Sequence, residues 1–389
     1  MVRGTTIRIV ALLWFSGAAL RVSILAVPPV IAFLRSDLQM SATEIGIVSG
    51  LPMIMIAAAA VPGSLAISKF GALRTLVGAL VLAAIGAGLR GFIPDVAALL
   101  ASTTIMSLGI AIAQPALPVL VRQWLPSRIG FGTAAYSNGM VIGCLLPILF
   151  APVVLTLAPG NWRLILAGSS FFILIVACLL ATLAESSAEH TEINNATILR
   201  WSPFVDYGLL WRLGLIFGSN NSVYFGTNAF LPLYLIEVGR PELVSTALAL
   251  YNFGQLPSSL LVMAFASRID RRIWPYLFAG VLIYMTADAW TLIATATLGF
   301  ASGISLVLGL ALPPLLSRPP DVGRMSAGMF MISYAFAMIV SVICGFTSDL
   351  TGNTRSALIL IAISILPLLL LPPTIKFHRS HHYTAREPN

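Results

Sequence analysis

The chain has 389 residues, of which 58% are apolar and only 9% charged, with a formal net charge of +8. Soluble domains carry about 25% charged residues, so the composition excludes an ordinary soluble enzyme and points to a chain immersed in lipid. Apolar runs of spanning length recur from end to end and leave no room for a separate soluble domain.

The first apolar run, Ile7 to Leu34, is too long for a secretory signal, lacks a small-x-small cleavage site and holds Arg21 near its middle, so it reads as a retained helix. Further helices are expected near 43–69, 73–93, 96–123, 129–157 and 161–184. A polar stretch, 185–207, holds Glu185, Glu189, His190, Glu192 and Arg200. Six more helices follow near 208–237, 243–268, 273–293, 295–317, 323–349 and 354–375, and a basic tail occupies 376–389. The expectation is an all-α polytopic membrane protein with about twelve spans. Bundles at 1–184 and 208–375 would be joined by a cytoplasmic linker at 185–207 and followed by a cytoplasmic tail. Cys144, Cys178 and Cys344 all lie in apolar runs and read as packing residues without a disulfide framework.

Charge sets the expected orientation. With the N-terminus inside, sixteen basic residues fall at cytoplasmic ends and loops (Arg3, Lys69, Arg74, Arg122 and Arg128 among them). Only five, Arg35, Arg90, Arg163, Arg240 and Arg355, fall outside, so the positive-inside rule puts both termini in the cytoplasm. The basic balance then reflects topology and carries no argument for nucleic acid.

The two halves repeat. Val27-Pro28 in the first span corresponds to Leu231-Pro232 in the seventh, at an offset of 204. Gly50-Leu51-Pro52 corresponds to Gln255-Leu256-Pro257 at 205, and Ala116-Leu117-Pro118 to Ala311-Leu312-Pro313 at 195. Matching prolines in matching spans, with both halves starting on one side, indicate parallel repeats about an axis along the membrane normal.

Several motifs carry a resemblance to a known family. They are Leu20-Arg21 with Val27-Pro28-Pro29, Leu34-Arg35-Ser36-Asp37-Leu38 with Met40-Ser41, Gly50-Leu51-Pro52, Leu89-Arg90, Gln114-Pro115-Ala116-Leu117-Pro118 and Asn161-Trp162-Arg163. The chain resembles the major facilitator superfamily and, within it, the cyanate permease and nitroimidazole transporter branch, over essentially the whole first half. The superfamily loop between spans 2 and 3 has its counterpart in Gly63, Lys69, Gly71 and Arg74, the candidate gating residues. Ser68 stands about where the superfamily usually has an aspartate, which leaves that loop's usual charge relay without its acid. The resemblance implies a major facilitator fold in the bacterial inner membrane and secondary transport by alternating access, with a central site between two six-helix bundles.

A charge at mid-bilayer depth costs roughly 2.5–3.5 kcal/mol on insertion scales and usually faces a polar interior, which makes Arg21 the leading candidate for substrate contact. No acid lies near mid-depth in the sequence to pair with it. Neutral polar candidates are Gln114 in span 4, Tyr136 and Asn138 in span 5, Asn220, Asn221, Tyr224 and Asn228 in span 7, Tyr251, Asn252 and Gln255 in span 8, and Tyr334 in span 11. Asn221, Tyr224 and Asn228 share one helical face by their spacing. Each of these side chains could instead serve as interhelical glue. A guanidinium offers a planar fork and a permanent charge, which suits a small planar anion or a compact polar organic molecule better than a doubly charged one.

Other functions lack their residues. All four histidines lie outside the spans, so no haem ligand, histidine metal site or histidine relay is expected in the membrane. Neither Lys69 nor Lys376 belongs to a glycine-rich phosphate loop, so ATP drive within this chain is unsupported. Asp288 is the only acid well inside a span and reads as a packing or interface residue, so facilitated diffusion, exchange and proton symport all stay open. No cofactor or metal is expected, no catalytic constellation is found, and the protein is expected to work as a monomer. The expected activity is transport of a small, cyanate-like anion or small polar compound. The alternatives are an exporter of small aromatic or nitroheterocyclic compounds and, in another class, a non-transporting membrane sensor, for which the chain shows no signalling domain.

Overall fold

The computed structural model describes residues 2–40, 42–185, 207–240, 243–269 and 291–375. Most of the expected ninth span, with Asp288, lies outside the described residues, as do the linker from 186, the tail from 376 and all four histidines. The described elements are helical throughout, and among the described residues nine helical stretches, some made of successive helices, are long and apolar enough to cross a membrane. In hydrocarbon every backbone polar group must find an internal partner, which a helix supplies by itself.

The first half holds eight helices. They are α1 (Val2–Val22), α2 (Ile31–Asp37), α3 (Ala42–Phe70), α4 (Ala72–Leu89), α5 (Val96–Ala113), α6 (Ala116–Trp124), α7 (Ile129–Leu157) and α8 (Trp162–Glu185). The second half holds α9 (Tyr207–Glu237), α10 (Val244–Ile269), α11 (Thr291–Leu316), α12 (Val322–Thr351), α13 (Arg355–Ile363) and α14 (Leu366–Leu370).

Three expected single helices are each built in pieces, and proline accounts for all of them. The run 7–34 stops being helical after Val22, turns through 23–27, and resumes as a 3-10 turn at Pro28–Val30 followed by α2. Two successive prolines remove two donors there, and Pro28 disfavours a helical Val27. Pro115 likewise separates α5 from α6, and Pro367 opens α14 after α13. Pro52, Pro147, Pro232 and Pro257 instead sit inside unbroken helices, where neighbouring groups can satisfy the freed carbonyls. Gly71, at φ 81, makes the corner between α3 and α4, a backbone conformation that suits glycine.

Packing repeats between the halves. Span 1 (α1) packs on span 5 (α7) and span 2 (α3) on span 4 (α5); in the same way span 7 (α9) packs on span 11 (α12) and span 8 (α10) on span 10 (α11). Glycines permit the close approaches: a Cβ at Gly139 would collide with the Trp14 carbonyl, and one at Gly299 with the Tyr251 carbonyl. Between the halves, α3 meets α12 and α7 meets α10, the pairing expected about a two-fold pseudo-axis.

The apolar clusters are distributed unevenly between the halves. One cluster is shared by both halves and includes, where α6 ends and α12 begins, Leu120 and Val121 of α6 and Val322 and Met325 of α12. The Arg122 Nη1 there donates to the Pro314 carbonyl across the divide. At the opposite end the first half keeps its own cluster (Val30, Leu34, Met40, Trp162), separate from one in the second half (Leu231, Leu235, Ala247). Around the former, Trp162 Nε1 donates to Asp37 at 2.7 Å and Arg163 pairs with the same carboxylate at 3.7 Å, fastening the outer piece of span 1 to span 6.

Candidate substrate cavity

A cavity of about 60 Å³ lies between the halves, bounded by spans 1, 5, 7, 8 and 10. A water needs about 10–15 Å³ by this measure, so there is room for roughly four to six water-sized groups, the size of a small ion or a single small ring.

The two halves contribute different chemistry. Span 1 supplies Arg21, Ile24 and Leu25, and span 5 supplies Met140, Val141, Cys144 and Leu145. The second half supplies Asn220, Asn221, Tyr224 and Phe225 from span 7, Asn252 and Gln255 from span 8, and Ser302 and Leu306 from span 10. Arg21 is the one charged side chain among the described lining residues. The first half thus brings a cation among apolar walls, and the second brings neutral amides, hydroxyls and two aromatic rings.

Arg21 stands in the last turn of α1, just before the break. Its Nη2 donates to the Tyr334 hydroxyl oxygen at 3.0 Å, and Gln114 Nε2 donates to the same oxygen at 3.3 Å. One hydroxyl of the second half therefore holds two donors of the first, and its own proton is left over for another acceptor. Gln114 and Tyr334 are joined to the site through Arg21 and are not among the cavity's lining residues.

The opposing amides are ordered by one another. Tyr224 donates to Asn252 Oδ1 at 3.1 Å, Asn252 Nδ2 donates to Asn228 Oδ1 at 3.1 Å, and Asn228 Nδ2 returns to the Tyr224 carbonyl at 2.8 Å. This ring fixes the Tyr224 side chain, which Tyr251 stacks against with ring centroids 6.0 Å apart. Ser302 donates to Asn220 Oδ1 at 3.0 Å, and Asn221 Nδ2 to Ser333 at 3.3 Å. Asn221 and Tyr224 face the cavity as their spacing suggested, while Asn228 lies beyond it and acts within the ring.

Three expected contacts fall elsewhere. Asn138 accepts from Trp14 Nε1 and donates to Ser259, both at 2.8 Å, and so ties span 1 to span 8 across the halves. Tyr136 is buried in the core beside span 1, away from the lining, and Tyr251 likewise stands behind Tyr224. Gly63, inside α3, packs on the Ile112 backbone, Lys69 and Arg74 are exposed, and Gly71 is the corner itself; all four lie at the end with the termini, away from the cavity.

Several lining residues have no mark in the sequence reading. Cys144, taken as packing, faces the cavity, as does Ser302. Val141 and Leu145 follow Asn138 by three and seven residues, so helical periodicity from Asn138 could have found that face. A second buried cation was also missed. Arg90, assigned by position to the outer loop ends, is fully buried.

Comparison with known proteins agrees with this architecture. The Major Facilitator Superfamily profile matches residues 13–287. The chain is 27% identical over 364 residues to the 2-nitroimidazole transporter of Escherichia coli (strain K12), covering 90% of each. It is 26% identical over 377 residues to the cyanate transport protein CynX of the same strain, covering 93% of this chain and 94% of the relative. Among solved structures, the proton:xylose symporter XylE superposes with a TM-score of 0.74 over 94% of this chain and 95% of its own, at 14% identity. FucP in the outward conformation gives 0.72 over 94% and 98%, at 15% identity. At such identities the two structures speak for the fold alone.

Proposed function

The chain belongs to the Major Facilitator Superfamily, and from that premise we propose that it is a secondary transporter of a small, cyanate-like monoanion or compact polar compound, working by alternating access. The observation that carries this reading is the single guanidinium in a small cavity, faced by neutral amides and hydroxyls. A permanent cation with spare donors selects a negative or electron-rich group. The opposing amides can read the neutral remainder of the molecule by hydrogen bonds. Relatives named for cyanate and 2-nitroimidazole transport, each matching about nine-tenths of the chain, support a substrate of this size.

On this reading the protein works as a monomer in the bacterial inner membrane, with both termini cytoplasmic. The separate apolar clusters at the end away from the termini fit a state whose cavity faces the periplasm.

Uptake of labelled cyanate into proteoliposomes tests the substrate, with Arg21→Gln as the control. Wild-type uptake above empty vesicles, lost in the variant, is the expected result. A second reading, export of a small nitroheterocycle, is favoured by the aromatic wall of Tyr224 and Phe225 backed by Tyr251. It predicts that 2-nitroimidazole raises the melting temperature of the purified protein by mass action and that Arg21→Gln retains that shift.

A further inference from the structure

Among the described residues, Arg90 is a fully buried cation that the cavity does not use. It follows directly on α4, is 0% exposed, and lies in the same half as Arg21. Its Nη2 donates to the Ser23 carbonyl at 2.7 Å, inside the stretch where span 1 is broken. Its buried Nε and Nη1 have no hydrogen-bond partner among the described residues, and neither has the Ser23 hydroxyl.

A helix that stops at Val22 leaves its last carbonyls without intrahelical donors and presents the negative end of its dipole. In water those groups would be solvated. At membrane depth they must be met by protein. A leucine or methionine would fill the place of Arg90 without bringing a second charge into the bilayer, so packing alone gives no reason for an arginine there. A cation with several donors, aimed at the broken end, does.

The base of that side chain is itself anchored. Gly88 and Gly91, on either side of it, pack closely on Ser170 and Ala167 of α8, and Ser170 donates back to the Ala84 carbonyl of α4 at 2.7 Å. Arg90 therefore reaches from a fixed helix end to a chain segment that has lost its own helical support. Ser23 is two residues from Arg21, whose carbonyl accepts from Leu25 at 3.2 Å in the last helical-type bond before the prolines.

We propose that Arg90 is a positioning residue: its guanidinium caps the broken end of span 1 and thereby sets where Arg21 stands in the cavity. The three N–H groups on Nε and Nη1 find no acceptor among the described residues. They let the cap pass to other freed carbonyls as the outer piece of span 1 moves. The proposal rests on the anion reading for its effect on transport, but not for its effect on the backbone.

Hydrogen exchange of the purified protein, read by mass spectrometry, tests the backbone directly. In Arg90→Met, peptides covering 18–30 should exchange faster while those of α5 and α7 stay as in wild type. Arg90→Lys should restore most of the protection, since an ammonium still donates to one carbonyl. Ser23→Ala should change little, because the acceptor is the carbonyl. In proteoliposomes the methionine variant should raise the half-saturation constant for cyanate about fivefold or more with the maximal rate within about twofold, and lysine should recover it. Unchanged exchange at 18–30, loss of protection across the whole first half, or a lysine variant no better than methionine would each overturn the proposal. Should Arg21→Gln transport cyanate normally, the anion reading falls, and the exchange measurement still decides the role of Arg90.

Discussion

Among the described residues the Arg21 side chain hydrogen-bonds to one neutral group, the Tyr334 hydroxyl, and its replacement should therefore separate function from folding. A hydrogen bond to a charged group is worth about 1.5–3 kcal/mol, so Arg21→Gln should lower anion transport by about 10- to 100-fold. The variant should insert and melt no lower than wild type, because a buried charge is removed and Tyr334 keeps Gln114 as a donor. Arg21→Lys keeps the charge but loses the planar fork and should fall in between. Asn221 and Tyr224 variants should give smaller losses with altered substrate preference. Tyr334→Phe should behave in the opposite way in a thermal melt. It strands the donors of both Arg21 and Gln114 and should cost about 1–3 kcal/mol of stability. Adding Arg21→Gln to it should return part of that loss, and a strictly additive double variant would show that the two side chains do not depend on each other. Much of this chemistry is legible in the sequence. A charge or amide in an apolar run stands out, and the spacing of Asn221 and Tyr224 gave their common face. Arg90 did not stand out because it closes a hydrophobic run, where an arginine ordinarily meets water. Sequence position gives depth along a helix, but not whether the side chain turns inward.

The helices show the same division. Prolines located the matching spans correctly, yet Pro28 and Pro115 break their helices while Pro52 and Pro257 do not. The difference lies in what neighbouring spans offer the freed carbonyls, which is tertiary information. Glycine behaves likewise. Gly139 sits where span 5 touches the Trp14 carbonyl of span 1, so Gly139→Leu should force the pair apart. Loss of folded yield in size-exclusion chromatography is the expected outcome. At the corner between α3 and α4, the Ser68 hydroxyl only returns to the Leu65 carbonyl at 2.8 Å. Ser68→Ala should leave transport within about twofold of wild type, since an exposed side chain away from special features contributes little. Gly71→Trp places a bulky side chain at a positive φ and should impair both folding and transport.

At the scale of the whole molecule, one apolar cluster is shared by both halves and two smaller ones belong to one half each, and on the proposed reading accessibility should follow that asymmetry. Cys144 lies in the cavity, Cys178 is exposed on the apolar surface and Cys344 is buried. A membrane-impermeant, water-soluble thiol reagent should therefore modify Cys144 from the face opposite the termini, and bound substrate should protect it. Labelling from the face of the termini alone would mean that the cavity opens the other way. Single cysteines introduced at Arg3, in the 185–207 linker and after 376 should all react from one side of the membrane, as the distribution of basic residues requires.

The uneven lining of the cavity has a consequence for how selectivity can change. On the proposed anion reading, the sign of the accepted charge would be set in the half that holds Arg21, and the uncharged remainder would be read in the half that holds the amides. A substrate held in that cavity would meet both halves, so on this reading the two preferences should be separable traits. A chimaera joining residues 1–206 of this chain to the second half of the E. coli 2-nitroimidazole transporter should still select for electron-rich groups at Arg21 while shifting its preference in shape. Competition by a panel of isosteric anions and neutral rings would measure both traits at once. Equal change in the two would mean that selectivity is encoded jointly, by the way the halves meet.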